Sequence, residues 1–444
     1  MMEQRKYGLF TAITMITGIV IGSGIFFKSD NILIWTKGNV KDGILVFLVA
    51  AISIIFGSLA ISELAMKTDK SGGIITYAEE FCSMPVGCVF GWFQSFIYLP
   101  SLVAVVAWVA GIYTCILFNL NNTLEMQVLL GTGYMLILFF FNILSAKLGG
   151  YIQNASTVIK MIPLLLIAVA GLIAGHPAES FAYSQPGVKT AGLLSAIVPV
   201  AFSFDGWSIS TSICHEIKDS KKNLPRALVM SPILILLVYV LYFVGISSLV
   251  GPEKIIKMGD DHVFYAANLL FGAVGAKIIL IFIIVSVLGT VNGIILGSIR
   301  LPYAMAIRNM IPASDTFKKM GNEKSGIPFH SALLAGAFSL IWMALHFITQ
   351  KYNLLPNSDV SEISIVMNYL SYIVLYVMVI RLAAKGEIKG AWHGYIIPVF
   401  AILGALIILF GGIQNPLFLV HFAICAALVL LALFYAVRNK SRIV

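Results

Sequence analysis

Twelve apolar stretches, each long enough to cross a lipid bilayer as a helix, follow one another along almost the whole chain. They centre on residues 8–35, 43–66, 86–117, 126–146, 149–175, 192–217, 227–250, 276–309, 329–348, 363–382, 395–413 and 416–436. A hydrocarbon layer of roughly 30 Å takes about 20 helical residues to cross, and every backbone polar group inside it must be paired within the segment. Transmembrane barrels would show period-two alternation in segments of about ten residues instead. Water-soluble folds are excluded, because 59% hydrophobic and 11% charged residues cannot supply a polar surface for 444 residues. The expected class is an all-α membrane protein.

Lys and Arg set the orientation. With the N-terminus inside, nineteen of them fall on the cytoplasmic side, from Arg5 and Lys6 through Lys218, Lys221, Lys222 and Arg226 to Arg438, Lys440 and Arg442. Seven fall outside: Lys37, Lys41, Lys189, Lys254, Lys257, Lys277 and Lys351. That bias predicts an even number of spans with both termini cytoplasmic. It also accounts for the net charge of +9 through anionic lipid, without nucleic acid. The five cysteines lack metal-ligand spacing and read as small buried hydrophobes. No short apolar core with a cleavage site opens the chain, so the first span is expected to stay in place.

Two of the spans are interrupted. The first carries Gly18, Gly22 and Gly24 within "GIVIGSGIF", and the sixth carries "AFSFDGWSIS" with Asp205 and Gly206 near its middle. Glycine alone also serves close helix packing. Interruptions five spans apart, at matching places of two halves, point instead to a binding site between unwound helices. Where the first helix restarts near Ile25, free N–H groups and the helix dipole suit a carboxylate. The last carbonyls before each break, around residues 19–21 and 202–203, suit an ammonium. One anion site beside one cation site fits an α-amino acid.

"GIVIGSGIF", "KSGGIITYAEEF" (70–81), "FSFDGW" (202–207), "HEIKDSKKNLPRAL" (215–228) and "LGTVNG" (288–293) together resemble the amino acid/polyamine/organocation transporter superfamily, nearest its bacterial L-type branch. The resemblance covers essentially the whole chain. It implies a LeuT-type fold with twelve transmembrane helices: inverted repeats over 1–175 and 190–383, helices 1 and 6 unwound, and two peripheral helices over 391–444. It implies that Gly22, Ser23 and Gly24 receive the substrate carboxylate, and that carbonyls of Val20, Ile21, Phe202 and Ser203 take the amine. Phe202 would cap the substrate as a thin gate, and Asn368 and Tyr369 would approach the same pocket. Asp205 stands where animal relatives have glycine; it could hold the ammonium, bind a proton or cap the restarting helix. Lys28 is likewise unusual, and snorkelling to the outer water would explain it.

Lys160 lies inside the fifth apolar run, where a charge costs on the order of 3 kcal/mol on insertion scales and is functional by default. By resemblance it substitutes for a coupling cation, reaching the Gly18 carbonyl and the Thr290 hydroxyl. A permanently charged Lys160 implies sodium-independent exchange; one that sheds its proton implies proton symport. Glu63, Glu79, Glu80 and Glu216 sit near basic loops, where a solvated surface is the commoner outcome and salt bridges the alternative. No Walker A, nucleophile-elbow or H-E-x-x-H motif occurs. The expectation is therefore a plasma-membrane carrier of small or medium neutral L-amino acids, with no enzyme activity, cofactor, metal or obligatory protein partner. A receptor that binds amino acids without moving them is the alternative of a different class.

Overall fold

The computed structural model describes residues 8–22, 24–68, 73–144, 159–185, 190–208, 217–319 and 328–439. Among these, helices account for nearly everything and no extended strand occurs. Among the described residues nine helices are long and apolar enough to cross a membrane, and three further apolar helices are shorter: residues 9–18, 161–174 and 192–203. Each of the twelve apolar runs thus holds one of these helices among the described residues, three of them short. The short pieces belong to the first, fifth and sixth apolar runs. Two of those runs are interrupted by their own sequence, and the start of the third lies outside the described residues.

In chain order, α1 (Leu9–Val20) and α2 (Gly24–Trp35) share the first run, and α3 (Val40–Ala65) follows after Asn39, whose side chain accepts from the Lys41 and Asp42 N–H groups. The third run is α4 (Met84–Phe93), a π-helical turn (Gln94–Tyr98) and α5 (Leu99–Phe118). Then come α6 (Leu124–Leu144), α7 (Met161–Ala174), α8 (Thr190–Ser203), α9 (Ser220–Val250) and α10 (Pro252–Met258). The 46-residue α11 (His262–Ile307) would be about 70 Å long if straight. Gly272, at φ 68°, breaks it, so the membrane-crossing part begins after that residue. α12 (Phe329–Lys351), α13 (Val360–Ala384), α14 (Ile397–Ile413) and α15 (Phe418–Arg438) complete the bundle.

Burial sorts these helices into an inside and an outside. The segment Met84–Phe118 is 78% buried over its most apolar window, whereas α15 is 17% and α6 28% buried. Lipid is the natural neighbour of the exposed rows, which include Leu129, Phe140, Leu419, Leu430 and Val437. α15 leaves most of its surface exposed. Half of the α14 segment is buried, and it packs on α3 and α13. Small residues set the closest approaches: a Cβ on Gly171 of α7 would lie 2.5 Å from the Gly245 carbonyl oxygen of α9, so the two backbones touch.

Candidate functional site

α1 ends at Val20 because the next residue turns extended: Ile21 has φ −67°, ψ 108°, and its N–H closes the helix on the Thr17 carbonyl at 2.9 Å. α2 starts at Gly24. Ser23, expected to contact a carboxylate, lies outside the described residues. The glycines on either side are required by proximity. A Cβ on Gly22 would lie 2.7 Å from Thr290 Oγ, and one on Gly24 would lie 2.7 Å from Ser203 Cα and 3.2 Å from the Phe202 ring. The first break is therefore pressed between α11 and the end of α8.

α8 stops at Ser203, followed by a turn in which the Asp205 N–H bonds the Phe202 carbonyl at 3.0 Å and Gly206 takes φ 97°. Residues 209–216, including His215 and Glu216, lie outside the described residues. Both breaks expose carbonyls at one point. The hydroxyl of Tyr239, buried in α9, donates toward the Ser203 carbonyl at 2.8 Å and the Val20 carbonyl at 3.3 Å. The structure thus brings together two of the carbonyls expected to take an amine, and supplies a tyrosine that sequence reading missed. Each carbonyl keeps a second lone pair.

Phe202 packs edge-on against Phe27, with ring centroids 5.4 Å apart. On the other side of the turn, Tyr98 Oη lies 2.6 Å from both carboxylate oxygens of Asp205. Asn368 accepts from Gln94 Nε2 at 2.9 Å and donates to Tyr372 Oη at 2.8 Å, which in turn donates to Ser208 at 3.0 Å. Tyr369 stands edge-on to Tyr372, 5.3 Å between centroids. One polar chain so links the third, tenth and sixth runs. Gln94 and Tyr98 were missed because the π turn re-aims them. The signal was Pro100: lacking an N–H, it cannot serve the Phe96 carbonyl, which accepts from the Trp342 indole at 2.8 Å instead.

Lys160 is 1% exposed and donates to the Gly18 carbonyl, as expected. The expected contact with Thr290 is not found among the described residues. Thr290 Oγ donates to the Ser286 carbonyl of its own helix at 3.2 Å, and Thr290 touches the break at Gly22 rather than the lysine.

Lys28 does not snorkel. It too is 1% exposed, bonding Asp359 at 2.6 Å and Glu362 at the start of α13. Its Nζ lies 4.7 Å from the Phe27 ring centroid and 5.1 Å from that of Phe202. Asp359 and Glu362 were missed because "DVSE" has the spacing of a helix start with its own cap, which Asp359 indeed provides to Ser361 and Glu362 N–H groups. Glu79 and Glu63, read as solvated, are paired: Glu79 with Arg308 at 3.0 Å and Glu63 with His393 at 2.8 Å. No group of three or more His, Cys, Asp and Glu side chains is placed to hold a metal among the described residues.

A family profile described as amino acid permease matches residues 7–420. The serine/threonine exchanger SteT of Bacillus subtilis (strain 168) is 29% identical over 444 residues, covering 99% of this chain and 98% of its own. The mouse b(0,+)-type amino acid transporter 1 is 28% identical over 68% of this chain and 62% of its own length. The human large neutral amino acids transporter small subunit 2 is 28% identical over 70% and 59% respectively. These relatives are transporters rather than enzymes. With two interrupted helices meeting at one polar centre and a profile match over most of its length, this chain belongs to the amino acid permease family, as a multi-pass membrane transporter of amino acids.

Proposed function

We propose that the protein is a sodium-independent exchanger of small and medium neutral L-amino acids, working by alternating access as spans 1 and 6 rock against the remaining scaffold. The observation that carries this is the meeting of the two helix breaks, with Gly24 against Ser203 and Tyr239 joining the Val20 and Ser203 carbonyls. The N–H groups at the start of α2, with Gly22, Ser23 and Gly24, receive the substrate carboxylate. Carbonyls of Val20, Ile21, Phe202 and Ser203 take the amine, and Phe202 closes over the ligand. Asn368, Tyr369 and Asp205 border the side-chain end.

The wider architecture proposed is twelve spans in two inverted repeats, residues 1–175 and 190–383, with 391–444 appended, in the plasma membrane with both termini cytoplasmic. The neutral class is supported by Asp205, whose carboxylate already accepts from Tyr98, and by the names of relatives that carry serine, threonine or large neutral amino acids. Sodium independence is supported by the Lys160 ammonium on the Gly18 carbonyl, where it stands in for a bound cation. Proton symport is the second reading. Lys160 has no carboxylate partner among the described residues, so losing its proton strands no opposite charge.

Uptake of labelled amino acids into proteoliposomes, preloaded with unlabelled amino acid or empty, with and without sodium, tests the reading. Uptake that needs a preload and ignores sodium is expected. Accumulation in empty vesicles driven by a proton gradient would replace exchange with symport, and saturable binding without luminal label would replace transport with sensing.

A further inference from the structure

The buried group around Lys28 contains one ammonium and two carboxylates, with side chains 1%, 3% and 4% exposed. A buried net charge is expensive unless every member is paired. The two acids are held differently. Asp359 Oδ1 accepts from the Ser361 N–H at 2.8 Å, the Glu362 N–H at 3.3 Å and the Ser361 hydroxyl, while Oδ2 takes Lys28. Those donors belong to the first turn of α13 and stay with it. Among the described residues Glu362 has Lys28 on Oε1 and the Ser358 hydroxyl on Oε2 at 2.6 Å, the latter itself receiving Asn415 at 3.1 Å.

Lys28 belongs to α2, whereas Asp359 caps α13 and Glu362 lies in its first turn. On the alternating-access reading above, which this inference rests on, opening to the outside separates α2 from α13 and takes Lys28 away. Asp359 then remains satisfied by its helix cap. Glu362 is left with one hydroxyl. It borders a cavity of about 120 Å³ that Trp35, Ser195, Ser358, Gln414 and Asn415 also line, with room and polar partners for water. Three other titratable groups lie near: His346 of α12 interacts electrostatically with Asp359 and Lys28, and neither of its ring nitrogens has a hydrogen-bond partner among the described residues, while buried Asp30 of α2 and Asp260, just before α11, interact with Lys28 and not with Glu362.

We propose that Glu362 is a proton-binding site of the outer gate: a proton from the outer water bonds to its carboxylate when Lys28 departs, and returns to that water when Lys28 comes back. The protonated Oε2 donates to Ser358, the same 2.6 Å contact with its direction reversed. The proton enters and leaves on one side, so it gates transport without being carried across. Lys28 also rests against the Phe202 ring, so its departure frees the gate aromatic in the same movement.

The test is initial influx into right-side-out membrane vesicles preloaded with amino acid, varying outer pH alone. Wild-type influx is expected to fall by up to about tenfold per pH unit on the alkaline side, as for any step requiring one proton. Glu362→Gln, already neutral, should be flat within about twofold. Asp359→Asn should keep the wild-type profile. A flat wild-type profile, or a Glu362→Gln profile that follows wild type, would overturn the site while leaving exchange intact. Failure of the wild type to exchange any amino acid would instead overturn the transport reading. If Glu362→Gln exchanges too slowly to measure, substrate-induced thermal stabilisation of the purified proteins decides: pH dependence lost in the variant sustains the proposal, and pH dependence retained overturns it.

Discussion

Gly24→Ala isolates the physical basis of the proposed site. The added methyl would sit 2.7 Å from Ser203 Cα, 3.0 Å from Ser203 Oγ and 3.2 Å from the Phe202 ring. A side-chain end can swing away, but a backbone Cα cannot move without carrying the end of α8 with it. Overpacking of this kind costs roughly 1–3 kcal/mol. Spent against the arrangement in which the two breaks touch, that lowers its population by about 5- to 150-fold relative to conformations that separate them. Exchange in preloaded proteoliposomes should fall by at least about fivefold if this arrangement is visited in every cycle. Gly133→Ala is the control, since nothing lies within 4 Å of its added methyl. Full-rate exchange by Gly24→Ala, with a melting temperature equal to that of the control, would refute the close approach of spans 1 and 6 as a working contact.

Lys160→Met removes a charged hydrogen bond to Gly18, worth about 1.5–3 kcal/mol, together with the burden of a buried charge. Stability should therefore change little, while turnover drops more than substrate affinity; unaltered turnover would remove the strut. Tyr239→Phe leaves the Val20 and Ser203 carbonyls without their shared donor, and exchange should slow by about tenfold, equivalent to one hydrogen bond of roughly 1.4 kcal/mol. Wild-type rates in that variant would separate the tyrosine from the site. Ser23→Trp should abolish uptake by filling the carboxylate position, and normal uptake would count against that assignment. Trp342→Phe should lower thermal stability by about 1 kcal/mol through the unserved Phe96 carbonyl, and by less in a Pro100→Ala background, where the restored N–H serves it; equal losses in the two backgrounds would contradict the pairing.

Much of the site was legible because its ingredients are local. A run of "GIVIGSGIF" states its own interruption, since glycines replace bulk and the Ile21 backbone then turns aside; "SFDGW" does the same through the positive φ of Gly206. Lys160 could be singled out for the same reason, as one charge in an apolar run, and its Gly18 contact followed from resemblance. The Thr290 contact did not, because a hydroxyl on a helix readily satisfies itself on the carbonyl four residues back, as Thr290 does with Ser286.

Hydropathy, basic-residue bias and helix interruption are properties of short windows, so the sequence alone determined an all-helical membrane protein with two broken segments and a charge in the fifth apolar run. Pairing is a property of the whole packed chain. Lys28 and Asp359 lie 331 residues apart, Tyr239 serves two carbonyls from different runs, and Gln94 meets Asn368 across 274 residues. In an apolar interior a polar group takes whichever partner packing brings within about 3 Å. Only the tertiary structure decided which groups those were.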